Sequence, residues 1–331
     1  MSRFKAARAI AMLAMALAAA TASAHHLIDW VVIDLGALAS SGQSFATGVN
    51  HRGDVAGYTI PSGAVFATGT LWRDGVLHDI GVPAGASGVA VNGINADGVM
   101  VGLTMDSDAV QWKDGAWSLL GFRGEAKAIN RQGDIAGTQV AGAHERAVLL
   151  RQGALIDLGT LGGLDSRVNA INDWGHVVGR ASLADGSSHA FLWANGEMRD
   201  LGTLDRANSV ATAINNANVV VGYGFDGSSQ VTAFLWYGAT FRLLPGFSQV
   251  FPSAINDRND IVGRIESTHT PFMLADGELV SLDRLPAVRA SGLTDLFPRA
   301  VSARRWIVGS AISRAGGVHG FLMMPDPAFA H

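Results

Sequence analysis

One phrase recurs seven times along this 331-residue chain, and it limits the folds available to the chain. In its fullest form it reads Ala170-Ile171-Asn172, two further residues, Gly175, and an apolar run that ends at Gly179. The Asn position holds Asn50, Asn95, Asn130, Asn172, Asn215, Asn256 and, in the seventh unit, Ser302. The final Gly is present in every unit, as Gly57, Gly102, Gly137, Gly179, Gly222, Gly263 and Gly309. The spacing between units, 35 to 46 residues, indicates a repeat architecture.

The position between the Asn and the final Gly indicates a tight turn. It holds Gly53, Gly98, Gly133, Gly175, Asn218, Asn259 and Arg305. Asn tolerates a left-handed backbone better than other residues except Gly, and Asn or Ser three residues before Gly is typical of a type I turn. We therefore predict strand, turn, strand, with the Asn and final Gly residues in structural turn roles and the Asn side chain bonded to the turn backbone. Ligand binding by a circle of these Asn side chains stays open as the alternative.

A second phrase follows the first in each unit. In unit four it runs from Ala190-Phe191-Leu192-Trp193 through Asn195-Gly196 to Asp200-Leu201-Gly202. Asn-Gly or Asp-Gly between two apolar runs is a strong hairpin signal. The Trp position is filled again by Trp72, Trp112 and Trp236, which we interpret as core between units and not as a cofactor site.

Four short strands in about 42 residues, with no helical stripe of apolar residues, are typical of β-propeller blades. The fold class predicted is therefore all-β, a seven-bladed β-propeller with four-stranded blades. The units begin near residues 45, 88, 125, 167, 210, 251 and 298. An open β-solenoid with special end caps is the alternative.

The two ends of the chain favour the propeller. The seventh unit stops at Pro325, before a fourth strand, whereas Asp34-Leu35-Gly36 near the start matches the fourth-strand phrase Asp200-Leu201-Gly202. We therefore predict that residues 30–38 form a strand that closes the last blade. Such closure would also remove exposed strand edges.

The N-terminus has the pattern of a secretory signal peptide over residues 1–24. Arg3, Lys5 and Arg8 precede an apolar run, and Ala22-Ser23-Ala24 is a small-x-small cleavage pattern. We predict an exported protein, extracellular or periplasmic, whose single domain spans residues 25–331. A retained membrane anchor is the alternative, although the apolar run is short for a membrane span.

Composition excludes several functional classes. The chain has no cysteine, so thiol catalysis, iron–sulfur clusters and Cys-type zinc sites are excluded, and packing must stabilise the exported fold. After removal of residues 1–24, 21 basic and 28 acidic residues remain, and no basic cluster indicates nucleic-acid binding. No later segment resembles a transmembrane helix. We expect no cofactor and a monomer.

The combined pattern resembles the bacterial HAF extracellular repeat. Residues 167–204 carry the match most fully, with His189-Ala190-Phe191 as the naming triplet, and His319-Gly320-Phe321 is similar. The resemblance covers essentially the whole mature chain and implies an exported bacterial protein. It implies no activity, because the family is defined by its repeat.

Binding residues are expected on the loops that differ between units. These connect second and third strands or adjacent units, and lie opposite the tight turns at the central mouth of the ring. Examples are the segments 59–68, 139–146, 181–188 and 283–297. No catalytic or metal-binding spacing is recognisable, although a new terminus at His25-His26 could chelate copper. We therefore predict a binding or interaction module for an unknown extracellular or envelope ligand. The alternative is a propeller enzyme acting on an extracellular saccharide or peptide.

Overall fold

The computed structural model describes residues 29–38, 42–203, 208–225, 230–238, 240–243 and 249–326. Strands make up 63% of the structure and helices 4%, which confirms the all-β class. The predicted signal segment, residues 1–24, and the possible copper site at His25-His26 lie outside the described residues. Within the described residues, no helix combines the length and the apolar character needed to cross a bilayer.

Each sequence unit forms antiparallel strands that pair in chain order. The first strands are β2 (Gln43–Val49), β6 (Val89–Ile94), β9 (Ala116–Ile129), β13 (Gly162–Ile171), β17 (Ser209–Ile214), β21 (Val250–Ile255) and β25 (Thr294–Val301). The second strands are β3 (Val55–Ile60), β7 (Met100–Thr104), β10 (Ile135–Ala141), β14 (Val177–Leu183), β18 (Val220–Phe225), β22 (Ile261–Ile265) and β26 (Ile307–Ile312). The third strands are β4 (Thr68–Arg73), β8 (Asp108–Lys113), β11 (His144–Arg151), β15 (Ser188–Ala194), β19 (Val231–Tyr237), β23 (Thr270–Ala275) and β27 (Val318–Pro325). The fourth strands are β5 (Val76–Gly81), the beginning of β9, β12 (Ala154–Asp157), β16 (Glu197–Gly202), β20 (Thr240–Leu243), β24 (Glu278–Ser281) and, in the seventh unit, β1 (Trp30–Asp34).

Strand β9 belongs to two units at once. Its beginning pairs with β8 of unit two, and its end pairs with β10 of unit three, so strands β6 to β12 form one seven-stranded sheet. Because no loop separates these two units, the distance from Asn95 to Asn130 is only 35 residues, the shortest in the sequence. The short spacing therefore reflects a strand that continues through the junction.

Strand β1 pairs with β27 at the other end of the chain. The pairing is antiparallel, with Trp30 opposite Pro325, Val32 opposite Met323 and Asp34 opposite Phe321. The strand is shorter than the predicted segment 30–38 because the chain turns after Asp34. Gly36 has a φ of +65°, and its N–H donates to Asp34 Oδ1 over 2.8 Å.

Apolar side chains are buried mainly between neighbouring units. Phe191 and Trp193 of unit four pack with Ala136, Ala147 and Leu149 of unit three. The same kind of cluster joins the two ends of the repeat array: it contains Leu35, Ala46, Val55, Val308 and Leu322. Burying apolar surface at each junction makes the stability of one unit depend on its neighbours.

In several units, a serine on the first strand forms hydrogen bonds with the backbone of the preceding unit. Ser209 Oγ donates to Gly202 O over 2.6 Å and accepts from the Ala190 N–H over 2.8 Å. Ser166 makes the same two contacts one unit earlier. A serine is needed because a hydroxyl can donate and accept at once.

Two of the loop predictions were wrong. Segment 139–146 is mostly strand, because β10 extends to Ala141 and β11 begins at His144. Segment 283–297 contains a short helix, α1 (Pro286–Ser291), whose Val288 is buried in the core between units six and seven. The sequence showed no helical stripe there because six residues give the helix too few turns for a periodic pattern. Two 3-10 helices, Glu266–Thr268 and Leu282–Arg284, complete the helical content of the described residues.

Candidate functional site

Each repeated Asn side chain lies inside the turn between the first and second strands. In unit one, Asn50 Oδ1 accepts the N–H groups of Arg52 and Asp54 at 2.9 and 3.1 Å. The Asn50 carbonyl accepts the Gly53 N–H over 3.2 Å, which closes the turn. The middle position of the phrase has a positive φ in all seven units, from +59° at Asn218 to +92° at Gly53. The turn therefore needs Asn at its start and a left-handed residue three positions later.

The Asn amides also link each turn to the next one. Every Nδ2 donates to the main-chain carbonyl at the Asn position of the following unit. The pairs are Asn50–Asn95 (3.4 Å), Asn95–Asn130 (3.2 Å), Asn130–Asn172 (3.2 Å), Asn172–Asn215 (3.1 Å), Asn215–Asn256 (3.0 Å) and Asn256–Ser302 (2.9 Å). All six Asn residues are at most 5% exposed. Each of these amide groups is thus engaged by the fold through at least one hydrogen bond.

Most of these amides have a second acceptor, which comes from one of two sources. Where aspartate stands four residues after the Asn, its carboxylate accepts, as in Asn50–Asp54 (2.9 Å), Asn130–Asp134 (3.2 Å) and Asn256–Asp260 (2.8 Å). Where that position is His176 or Val219, Oδ1 of an Asn in the next turn accepts, as in Asn172–Asn218 and Asn215–Asn259, both 2.8 Å. Asn218 and Asn259 therefore replace Gly for a second reason besides backbone conformation.

The buried aspartate of unit one is stabilised as a carboxylate by its donors. Burial by itself would raise the pKa of Asp54, but hydrogen bonds from Arg73 and Asn50 outweigh burial and hold that pKa below its ordinary value. Arg73 binds the Asp54 carboxylate through both Nε and Nη2, at 2.7 and 2.9 Å.

The second acceptor found for most of these Asn amides predicts the effect of substituting Gly133. Asn95 has Val99 four residues later, and in the described residues its Nδ2 donates only to the Asn130 carbonyl. Gly133 has a φ of +85° and open space around an added Cβ, so Gly133→Asn supplies the missing acceptor. We expect the unfolding free energy of Gly133→Asn to lie within about 0.5 kcal/mol of the wild-type value or above it. Gly133→Val should lose about 2 kcal/mol, because a β-branched residue is strained at positive φ.

Thermal or denaturant unfolding of the two variants measures this difference, and equal stability would contradict the assigned turn. The same change is unsuitable at Gly175. There an added Cβ would lie 1.7 Å from Arg151 Nη2, which forms an ion pair with Asp134.

The final Gly residues of the phrase do not lie in the turn, contrary to the prediction. They lie within the second strands, without positive φ. The reason for Gly is a close approach: an added Cβ would come within 1.9 to 2.4 Å of a first-strand carbonyl oxygen in every unit. At Gly179, Gly222 and Gly263 it would also meet the ring of the Phe directly opposite on the third strand. The glycines thus make room for a bulge in the first strand and for a buried aromatic ring.

The ends of the first strands surround an open cavity, about 1080 Å³ including the solvent at its mouth. Residues from all seven units line it. Units one to six contribute the apolar residue before the Asn, the Asn itself and the residue after it, represented by Ile171, Asn172 and Asp173 in unit four. Unit seven contributes Val301 and Ala303. The sequence prediction placed the binding mouth at the opposite end, among the longer loops, whereas this cavity opens between the tight turns.

The residue after the Asn differs from unit to unit, and it determines the chemistry of the cavity. In order, this position holds His51, Ala96, Arg131, Asp173, Asn216, Asp257 and Ala303. Units four to six form a polar row, which we name the acidic arc: Asp173, Asn216 and Asp257. Asn216 Nδ2 donates to Asp173 Oδ2 and to Asp257 Oδ2, both over 2.9 Å. The arc therefore presents two carboxylates held by one amide.

An exposed tryptophan lies beside the acidic arc. Trp174, the second residue after Asn172, is 67% exposed, and its Nε1–H donates to the Asn216 carbonyl over 2.8 Å. The bond holds the indole against the neighbouring unit while most of the ring remains in contact with water.

A second open cavity, about 750 Å³ including the solvent at its mouth, lies at the opposite end between units two and four. Its charged side chains are already paired: Lys127 Nζ lies 3.0 Å from Glu125 Oε1, and Arg167 contacts Glu145. This cavity is therefore less able to bind a charged or polar ligand than the one that carries the acidic arc.

The chain is similar to several solved structures, whereas no family model and no curated protein matches it. Among solved structures, oligogalacturonate lyase in complex with manganese has a TM-score of 0.55 at 11% identity, over 91% of this chain and 98% of that chain. A chain of the mitotic checkpoint complex has a TM-score of 0.55 at 13% identity, over 93% and 96%. TolB from Acinetobacter baumannii has a TM-score of 0.42 at 8% identity; 87% of this chain aligns with it and spans 64% of its length.

The chain has a β-propeller fold. Identities this low establish a shared fold and nothing about ligands or activity.

The propeller fold accounts for the histidines that the sequence brought to attention. His189 and His319, near the beginning of their third strands, contact aspartates near the ends of the adjacent fourth strands, Asp200 and Asp34, both with a closest distance of 2.9 Å. Thr68 and Arg146, at the equivalent positions, contact Asp79 and Asp157 in the same way. The residue at this position therefore forms a cross-strand pair with an aspartate of the fourth strand. The described residues contain no group of three or more His, Asp or Glu side chains that could hold a metal ion.

The acidic arc and Trp174 were missed because the turn phrase was interpreted as a uniform structural element. A signal was present: the two residues between the Asn and the middle position differ in each unit, for example Asp173-Trp174 in unit four and Asp257-Arg258 in unit six. In a repeat, positions that vary within an otherwise uniform turn are the ones free to carry function.

Proposed function

We propose that this protein is an exported, monomeric binding module built as a closed propeller of seven four-stranded blades. Support for seven blades comes from seven sequence units whose equivalent residues line one cavity. Support for closure comes from the pairing of β1 with β27 and from the apolar cluster shared by the first and last units. An open solenoid would leave its two ends apart.

Export and membership of the HAF-type repeat family are parts of the same proposal. They are supported by the basic and apolar pattern of residues 1–24 and by the phrase that includes His189-Ala190-Phe191. Mass spectrometry of the mature protein should find its first residue at or near His25. Recovery of only the intact form beginning at Met1 would argue against export.

The binding site in this proposal is the cavity between the tight turns. One observation carries it: at one cavity-lining position the seven units supply five different residue types, while the Asn position just before it is nearly uniform. Rigid scaffolds with varied residues at a central mouth are typical binding sites.

A propeller enzyme acting on an extracellular saccharide or peptide is the second candidate, and the two carboxylates of the acidic arc favour it. Acid–base catalysis by paired carboxylates requires that the two groups take different roles in different environments. Asp173 and Asp257 instead hold equivalent positions in their turns and share one amide donor. Binding is therefore the better-supported function.

The experiment fills the cavity and leaves the rest of the protein unchanged. Purified glycans, peptides and metal salts are screened by thermal shift, and each ligand that binds is tested again with Ala303→Trp, which places a large ring at the cavity wall. Affinity should fall at least about tenfold. The control is Val65→Trp at an exposed position in the loop between β3 and β4. Ligands that bind Ala303→Trp normally but lose affinity for Val65→Trp would move the site to the longer loops.

A further inference from the structure

Beside the cavity between the tight turns, an exposed aromatic ring adjoins a row of hydrogen-bond acceptors. We infer that the acidic arc and Trp174 bind a neutral saccharide, with one sugar ring stacked on the indole and its hydroxyls donating to Asp173 and Asp257. This inference rests on the proposed binding function and specifies its ligand class.

The exposed and restricted side chain of Trp174 favours stacking with a ligand. Exposing a large apolar ring to water is unfavourable, and a ligand that covers the ring relieves this cost. The hydrogen bond from Nε1 to the Asn216 carbonyl already restricts the side chain, so little conformational freedom remains to be lost on binding. Trp is also the residue type most often found to dominate binding energy.

The carboxylates have unused acceptor capacity. A carboxylate has about four lone-pair sites, and the contacts of Asp173 are the Asn216 amide and the Arg131 N–H, while Asp257 accepts the Asn216 amide and the Asn216 N–H. Among the described residues, no cationic side chain lies within ion-pair distance of either carboxylate. The arc therefore favours a ligand that donates several hydrogen bonds.

The charge around the cavity decides between a neutral and a cationic ligand. At the two positions after the Asn, the seven units carry four arginines and three aspartates: Arg52, Arg131, Arg258 and Arg304, against Asp97, Asp173 and Asp257. This rim does not attract a cation over distance, because its formal charge is +1 with His51 neutral. Anionic ligands would meet the two carboxylates directly. A neutral molecule with an apolar face and hydroxyl groups at its edge matches both parts of the site.

Isothermal titration with soluble neutral tetrasaccharides of glucose, N-acetylglucosamine, xylose, mannose and galactose tests the inference. At least one should bind the mature protein, and Trp174→Ala should weaken it about tenfold or more. Asp257→Asn, which keeps the shape but removes acceptor capacity, should weaken it about threefold to tenfold. Gln132→Ala changes the equivalent turn position of unit three and should leave the affinity within about twofold.

Two results would overturn the inference: no tetrasaccharide binds, or binding is unchanged in Trp174→Ala. Melting temperatures close to the wild type are expected for this variant, because the side chain is 67% exposed, so loss of binding would not reflect unfolding. A parallel titration with tetramethylammonium distinguishes failure of the saccharide inference from failure of the proposed binding function. If it binds, and Asp257→Asn and Ala303→Trp abolish that binding while saccharides do not bind, the saccharide inference fails and the cavity remains the binding site. If no ligand of the wild type is affected by Ala303→Trp, the proposed function itself fails.

Discussion

Removal of residues 25–38 from the chain that begins at residue 25 should lower its melting temperature by about 10 °C or cause aggregation. The deleted segment contains β1, the strand paired with β27, and it buries Trp30 and Leu35 to 9% and 8% exposure. Burial of side chains of this size contributes about 2 kcal/mol each. Without the strand, the edge of β27 and the apolar surface around it would meet water.

The effect should extend beyond the last blade. Trp30 belongs to the core shared with unit six, and Leu35 to the cluster shared by units one and seven. Because neighbouring units share their cores, loss of both contacts weakens the junctions on either side. We therefore expect a single shifted unfolding transition and not the early loss of a small fraction of the signal.

A truncation that removes only residues 25–28 is the matched control, since it keeps the whole of β1. It should unfold like the chain of residues 25–331. If the longer deletion also melts like that chain, β1 is not the closing strand, and an open solenoid becomes the better description.

A disulfide gives the converse experiment. Val32 and Met323 lie directly opposite in the β1–β27 register, and the chain has no other cysteine that could compete. Val32→Cys combined with Met323→Cys should form an intramolecular bond, because bridged residues must have Cα atoms within about 7 Å. Failure to form it under oxidising conditions would contradict the register.

The repeat phrases made much of the fold predictable. Asn172 and Gly175 specify a turn through local hydrogen bonds and backbone conformation, and both effects act over four residues. The pairing of the N-terminal strand with the last unit was also predictable, because Asp34-Leu35-Gly36 repeats a phrase whose place in the other units is known. Local chemistry and repetition therefore carried the prediction.

The site was less predictable because it depends on contacts between units. The distance from Asn216 to Asp173 and Asp257 is set by how three turns lie beside one another, and no spacing within a unit reveals it. Helix α1 was missed for a related reason: Val288 is buried by elements of the neighbouring unit and not by a periodic pattern of its own. The role of the final Gly residues required the register of three strands, since the clash that excludes other residues involves the first and third strands together.

The final Gly residues lead to the second large effect, expected for Gly222→Ala. An added Cβ would lie 2.1 Å from the Val210 carbonyl oxygen and 2.6 Å from Cζ of Phe234, far inside normal contact distances.

Both obstacles to that Cβ are difficult to move. The carbonyl belongs to the backbone of β17 at its bulge, and the Phe234 ring is 0% exposed in the core between units four and five. The backbone at Gly222 has no positive φ, so the destabilisation would come from overpacking and not from conformational strain.

We expect Gly222→Ala to lose about 3 kcal/mol of unfolding free energy, at the upper end of the usual cost of overpacking. Gly93→Ala is the matched control: Gly93 also lies in a strand without positive φ, but the nearest atom to its added Cβ is 3.7 Å away, so its stability should stay within about 1 kcal/mol of the wild type. Denaturant unfolding of both variants measures the two changes.

If the double variant Gly222→Ala, Phe234→Leu recovers part of the loss, the ring contributes to the clash. If it recovers none, the carbonyl contact alone accounts for the requirement for Gly. Equal stability of Gly222→Ala and the wild type would mean that the first-strand bulge can move away, and the explanation of this Gly position would be wrong.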